Sequence, residues 1–322
     1  MKNLSFALYA VMSIGAWSGV AVAADWPTGP VTIIVPYTPG NITDIAARVL
    51  AQKLSDRTGK SFIVENKPGA STQIGTDLVA RARGDAHTLL LTGAVFATNP
   101  ALFSKLPYDS AKDIAPVGLV VSNPLVFVTA EQKPFADFSS FVTYAKSNPG
   151  AASVASGGSG TLSHMAMALM AITTDTNVVH VPYKGGSAAA IDTLTGQVDG
   201  MWDNPSSAIP QISAGRIRAL AVSGIERNPA LASVPTVAEQ GYKDFEVINW
   251  FGLFAPATVP PQLLDAIHDQ VQAVLEAPEV KERFAKDGVT AGGPSRAEFA
   301  AFVADETKRW GAIIEKNNIR AD

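Results

Sequence analysis

The stretch Val31–Gln52, VTIIVPYTPGNITDIAARVLAQ, decides how the chain is read. Val31, Ile33, Ile34 and Val35 make a β-branched run, and an unbroken run of this kind fits a strand covered on both faces. Pro36 ends that strand. Pro39 and Gly40 then form a tight turn, Thr43 stands where an N-cap hydroxyl belongs, and Asp44 falls in the first helical turn. The helix that follows carries Ile45, Val49 and Leu50 on one face, with Ala46, Ala47 and Ala51 supplying propensity. A turn that delivers a strand into a helix N-terminus leaves several backbone N–H groups without intrahelical partners, which makes it a ready site for a carboxylate.

Upstream, Lys2 precedes an apolar run from Leu4 to Val22 that closes on Ala21-Val22-Ala23. A basic residue, an apolar core and a small-residue ending predict a secretory signal over residues 1–23, cut after Ala23. About 299 residues then remain, enough for two domains of ordinary size. Loss of Lys2 takes the formal charge from −4 to −5, which offers nothing to nucleic acid or anionic lipid. With no Cys, the chain has no disulfide, thiolate metal site or thiol nucleophile.

Downstream, strand and helix patterns alternate. Phe62–Val64 and Thr88–Leu91 are strand-like, and Gln73–Arg83 is helix-like with Ile74, Leu78 and Val79 expected inward. Such alternation implies parallel pairing with helices on both faces. Ligands of such sheets sit beyond the carboxyl ends of the strands, so loops 36–43, 66–72 and 92–98 should meet on one edge. Val117–Ala130 reads as a crossing, broken at Ser122-Asn123-Pro124, into a second α/β series. There the strand Ala152–Ala155 enters Ser156-Gly157-Gly158-Ser159-Gly160-Thr161-Leu162-Ser163-His164 and a Met- and Ala-rich helix, repeating the chemistry of the opening motif. Val178–Val181 is a further strand, and Ser187 is expected to cap a helix through Leu194. Phe245–Phe254 reads as the return crossing. The tail from Pro260 is amphipathic, with Leu263, Leu264, Ile267, Val271 and Val274 on one face, and should pack back on the first domain. The expected division is 24–122 with 250–322 as one domain and 123–249 as the other.

Neither glycine cluster has a nucleotide-loop pattern. The four histidines, His87, His164, His180 and His268, show no metal-ligand spacing, and no cofactor is implied. Ser156, Ser159 and Ser163 lack a Gly-x-Ser-x-Gly elbow. A secreted hydrolase using His164 and a nearby serine is the rival to a binding protein. A third reading is a receptor that reports to a membrane sensor.

The chain resembles the Bug-type extracytoplasmic solute receptors, the substrate-binding proteins of tripartite tricarboxylate transporters. The likeness runs through Asp25-Trp26-Pro27, Val35-Pro36-Tyr37 with Pro39-Gly40 and Asp44, Glu65–Ala70, Lys105–Asp109, His180–Gly185, Asp203-Asn204-Pro205, Leu220–Val222, Val234–Thr236 and Trp250–Pro256. It implies a periplasmic binding protein type II-like α/β fold, two α/β domains with a ligand cleft between them that close on a small carboxylate, and delivery of that carboxylate to membrane transporter subunits. With no nucleophile paired with a base and no paired carboxylates in the three presumed site loops, no enzymatic activity is expected, and the protein is expected to be a periplasmic monomer. Three departures stand out: Gly40-Asn41-Ile42 replaces a more glycine-rich loop, Asp85-Ala86-His87 precedes the third strand, and Trp202 stands where Phe is commoner. The candidate ligand residues are Pro39, Gly40, Asn41, Ile42, Thr43, Asp44, Ala94, Ser156, Gly157, Ser159, Gly160, Thr161, His164, Tyr183 and Asp203. Two helix N-termini facing each other would suit a dicarboxylate. Ile42, Ala94, Tyr183 and Trp202, if they border the gap, add an aromatic, terephthalate-like ligand to the candidates.

Overall fold

A computed structural model describes residues 26–243 and 245–320. The expected signal segment and its cleavage point lie outside them. Two mixed sheets organise the chain, and each grows from parallel strands joined by helices.

In the first sheet the run expected around Val31 is β1 (Val31–Val35), flanked by β2 (Phe62–Asn66) and β3 (Thr88–Gly93), both parallel to it. The helices α1 (Ile42–Thr58), α2 (Gln73–Arg81) and α3 (Val95–Leu102) follow these strands. β4 (Ile114–Pro124) and β10 (Ile248–Pro256) extend the sheet, β10 running antiparallel between β3 and β4, with the two-residue β11 (Thr290–Ala291) at the edge. The second sheet holds β5 (Val126–Ala130), β6 (Ser153–Ser156), β7 (Val179–Pro182), β8 (Gly200–Asp203) and β9 (Ile217–Val222), in the order β7-β6-β8-β5-β9. β6 is parallel to β7 and β8, while β5 runs against β8 and β9. Its helices are α4 (Phe138–Ser147), α5 (Leu162–Thr174), α6 (Gly186–Leu194) and α7 (Pro205–Ser213).

The tail forms α8 (Pro261–Leu275), α9 (Pro278–Ala285) and α10 (Arg296–Lys316) and returns to the first sheet, as its amphipathic spacing anticipates. α8 packs on β4 and α1, and α10 on α3 and β4. Leu264, Ile267, Val271 and Val274 are buried there. At the heart of the α10 contact the buried Glu306 accepts from the indole N–H of both Trp250 (3.2 Å) and Trp310 (3.0 Å).

Four local expectations change. The cap of α1 is Asn41, not Thr43: Asn41 is extended (φ −82°, ψ 172°), its Oδ1 accepts from Asp44 N at 3.0 Å, and Thr43 lies inside the helix. α2 stops at Arg81 and buries Val79, as expected, together with Gly75, Thr76 and Ala80, while Ile74 and Leu78, also expected inward, stay exposed. α6 starts two residues early, with Gly185 rather than Ser187 at its N-cap. Trp202 is buried among Phe127, Phe138 and Phe245, because alternation along β8 sends Met201 and Asp203 to the opposite face.

Candidate functional site

Strand directions bring the two sets of loops together. β4 runs in the same direction as β3, because both oppose β10, so Pro124 ends at the edge from which the loops after β1, β2 and β3 emerge. Only Leu125 separates Pro124 from Val126, and Val126 pairs with Asp203 at the carboxyl end of β8. The crossing therefore joins the carboxyl edge of one parallel set to that of the other. Buried Ser223 ties it together: its N–H donates to Leu125 O (2.9 Å), its Oγ accepts from Leu125 N (2.7 Å), and its O accepts from Val247 N (2.8 Å) on the return crossing. Beside it, Asn204 Oδ1 accepts from Asn249 Nδ2 at 2.7 Å and from Asn123 Nδ2 at 3.3 Å.

Hydrogen bonds stitch the three first-sheet loops to one another. Asn66 Nδ2 donates to Tyr37 O (3.1 Å) and to Asp44 Oδ1 (3.0 Å), and Gly93 N donates to the Tyr37 hydroxyl (3.3 Å). Asn99 Nδ2 donates to Ser71 O at 2.8 Å, holding a run in which Ala70, Ser71 and Thr72 all have positive φ. Asp44 is the hub. It is buried, accepts from Gly40 N (2.9 Å) and Arg48 Nε (3.0 Å), and is ion-paired with Arg48. Burial pushes its pKa up, but the bonds from Arg48, Gly40 and Asn66 outweigh that and hold the carboxyl below its ordinary range. Among the described residues, the N–H groups of Asn41, Ile42 and Thr43 meet no protein acceptor. They are the donors this loop offers, above a carboxylate already neutralised by Arg48. Pro39 and Gly40 are exposed, Ile42 is half-buried against the first-sheet core, and Ala94 is buried at the start of α3.

The second-sheet loop is knotted internally. Gly157 N donates to Ser163 Oγ (3.1 Å), Gly158 N to Ser156 Oγ (3.1 Å), and Gly160 N to His164 Nδ1 (3.1 Å). Thr161 is the N-cap residue of α5, yet its hydroxyl donates to Gly158 O (2.7 Å) and meets Ser163 Oγ (3.0 Å) instead of capping. Gly158 has φ +128°, and a Cβ there would come within 3.1 Å of Tyr183 O, so the loop and the β7 turn lie against each other. The N–H groups of Ser159, Leu162, Ser163 and His164 meet no acceptor among the described residues. A second group of unpartnered donors at a helix N-terminus thus stands at the other edge of the crossing.

His164 and His180 stack beneath this loop, ring centroids 3.9 Å apart and 2° from parallel. His180 Nε2 also meets Ser156 Oγ at 2.6 Å. Burial first, and the neighbouring His180 second, push His164 down to about 4, and burial lowers His180. Both rings are neutral at pH 7. Since Nδ1 of His164 accepts from Gly160, its proton sits on Nε2. His180 and Ser163 were not candidates in the sequence, nor were Asn123, Asn204 and Asn249. The adjacency of β6 and β7 reveals His180, the loop's own fold reveals Ser163, and the meeting of the two crossings reveals the three asparagines.

The side chains of the two remaining candidates are bonded elsewhere, although the Tyr183 N–H donates to Ser156 O (3.0 Å) at the edge of the second-sheet loop. Tyr183 donates to Asp192 (2.6 Å), which together with burial pushes its hydroxyl up to about 12. Asp203 turns to the α6 and α7 side of the second sheet, accepts from Asn204 N (2.8 Å), and lies beside Ser207. No cluster of three or more potential metal ligands occurs among the described residues.

Comparison with known proteins now adds to this geometry. A family profile described as "Tripartite tricarboxylate transporter family receptor" matches residues 46–319. The chain belongs to that family. Among its curated relatives, the protein of the tcbD-tcbE intergenic region of Pseudomonas sp. (strain P51) is 36% identical over 298 residues, covering 92% of this chain and 89% of the relative. BugT of Bordetella pertussis is 33% identical over 310 residues and 95% of each chain. Solved structures share the fold, three of them as follows. Rpa4515 of R. palustris, determined with adipate, has a TM-score of 0.84 at 30% identity over 92% of this chain and 99% of that one. The periplasmic binding protein BugD gives 0.80 at 33%, over 92% and 99%. MatC of Rhodopseudomonas palustris with bound malate gives 0.79 at 30%, over 90% and 100%. The fold is that of a periplasmic binding protein, and membership of this receptor family gives the chain a solute-receptor role.

Proposed function

We propose that this receptor captures a small dicarboxylate between the two loop-bearing edges, in the periplasm, and delivers it to membrane subunits of the tripartite tricarboxylate type. The observation that carries the reading is the pair of unpartnered N–H groups at the starts of α1 and α5, on the two edges joined at Leu125. Each edge can hold one carboxylate with backbone donors, without a free Arg or Lys in either loop, since Arg48 is committed to Asp44. Two similar proteins were solved with aliphatic dicarboxylates, one with adipate and one with malate, which favours the same class here. An aromatic ligand loses one of its proposed flat walls, because Trp202 is buried in the aromatic core.

Under this reading Asn41, Ile42, Thr43, Ser159, Leu162, Ser163 and His164 face the ligand with backbone donors. Asp44, Thr161 and the paired histidines shape the loops behind them. The chain divides at the Leu125 and Val247 crossings into two closing units, near the boundaries 122/123 and 249/250. A cleaved signal over residues 1–23 places it outside the inner membrane. The hydrolase alternative is disfavoured by burial: Ser156 is wholly buried and bonded to His180, and the His164 Nδ1 lone pair is occupied by Gly160.

A thermal-shift panel tests the ligand class, since a ligand at 100 times its Kd adds about 2.7 kcal/mol to the folded state. Aliphatic dicarboxylates such as adipate and malate are expected to raise Tm. Response to monocarboxylates alone would overturn the two-anion site, and response to benzene dicarboxylates alone would restore the aromatic ligand.

A further inference from the structure

A second recess lies on the second sheet, beside the first turn of α6, whose Gly186 N stands 3.2 Å from where a Cβ on Gly157 would lie. α6 buries only Ala189 and Thr193 in the core. Its stripe of Ala190, Ile191 and Leu194, at the spacing of one helical face, instead walls an open groove of about 280 Å³. Ser207 and Gln211 of α7 form the facing wall, and Val128 and Met201 of the sheet form the floor. Ile191 is 63% exposed at the rim. A large aliphatic side chain bordering an unfilled apolar groove is a feature of ligand recesses more than of a settled surface.

Asp203 closes the carboxyl-terminal end of the groove and is 8% exposed. Its hydrogen-bond partner among the described residues is the Asn204 N–H; the Ser207 hydroxyl beside it donates to Asn204 O (3.0 Å), and no cation is in the set. Among the described residues, every other carboxylate with comparable burial has charged or multiple donors: Asp44 has Arg48, Asp199 has Lys133, and Glu306 has Arg309 and two indoles. Burial pushes the Asp203 carboxyl above its ordinary range and favours its protonated form in the empty groove, and a cation of matching geometry would draw it to the charged form. An anionic ligand would add like charge here, so the chemistry of this groove is opposite to that of the two N–H-lined loops.

We propose that the groove between α6 and α7 is a second ligand site, which takes a small organic ammonium ion whose charged head pairs with Asp203 and whose apolar body lies on Met201, Ala190 and Leu194. The volume limits the ligand to a small molecule, below the usual range of drug-sized pockets. The site does not depend on the carboxylate reading, because it shares no residue with the loops that carry it.

The test uses the mature full-length protein labelled at methionine methyl groups, with the Met201 signal assigned through Met201→Leu. n-Butylammonium, 1-butanol and butyrate are titrated separately at pH 7.5. Butylammonium is expected to move the Met201 signal saturably, with a Kd at least tenfold lower than that of butanol, and butyrate is expected to leave it in place. Asp203→Asn should weaken butylammonium at least tenfold, to the level of butanol. Ala190→Trp, which fills the groove without touching the carboxyl, should abolish the response. Equal binding of alcohol and amine to the unsubstituted protein, or no saturable shift with the amine, overturns the proposal whatever the variants do. Undiminished amine binding by a folded Asp203→Asn protein also overturns it.

Discussion

Lowering the pH from 7 to 5 should cost the fold about 2 kcal/mol through His164 alone. The ring is held at about 4 in the folded chain, against an ordinary value of 6.5. The unfolded chain therefore takes up a proton first as the pH falls. The stabilisation is fully present above 6.5, is lost between 6.5 and 4, and amounts to about 3 kcal/mol across that window. The cause is physical: a charged imidazole would sit in a buried site, face to face with His180 at 3.9 Å, and give up the Nδ1 lone pair that Gly160 uses. His164→Asn isolates the effect, because an amide oxygen can take the place of Nδ1 as acceptor without titrating. Urea unfolding followed by tryptophan fluorescence at pH 7 and pH 5 supplies the comparison. The variant is less stable at pH 7, but its loss on acidification should be smaller than the parent's by about 2 kcal/mol. Parallel losses in the two proteins would refute the assignment of the acid sensitivity to His164.

Three further outcomes follow from the bonding. Glu306→Leu removes the acceptor of two buried indole N–H groups, and at about 1–3 kcal/mol for each orphaned donor it should be among the most destabilising single changes, as read by urea unfolding. Thr161→Ala frees Gly158 O and Ser163 from the loop knot, so dicarboxylate affinity should fall roughly tenfold, equivalent to about 1.4 kcal/mol, with little change in Tm; unchanged affinity in calorimetry would detach the loop from binding. Asn249→Ala deletes the 2.7 Å bond to Asn204 between the two sheets, and small-angle scattering should then show a larger change in radius of gyration on ligand addition than in the parent. An identical change would argue that this amide has no part in closure.

The sequence revealed what is encoded locally. The β-branched run of β1, the two strand-to-helix turns, the alternation that implies parallel pairing, and the return of the tail all follow from spacings within about twenty residues. Relations across strands were not legible. His164 and His180 lie sixteen positions apart, and only the adjacency of β6 and β7 stacks them. Thr43 and Asn41 are both good capping residues, and the extended backbone at Asn41 decides between them. Ile74 and Leu78 looked inward because apolar residues at helical spacing usually are; the buried face of α2 is instead the small-residue face of Gly75, Thr76 and Ala80, where Gly75 lies so near Pro36 that a Cβ would come within 2.8 Å. Trp202 resembled a pocket wall because a residue beside a site strand can point either way, and alternation sent it to the core.

The clamp at Ser223 has a mechanical consequence. A single covalent link leaves a joint free to twist, bend and swivel. Here the outgoing chain at Leu125 and the returning chain at Val247 are both bonded to Ser223, so they behave as two pins fixed to one plate. Two pins admit one easy rotation, about the line through them, and resist the others because each would have to break a buried hydrogen bond. If the two halves close on a ligand as proposed, such a joint would guide them back to the same facing position on every cycle, and it would do so through the backbone and hydroxyl of one serine.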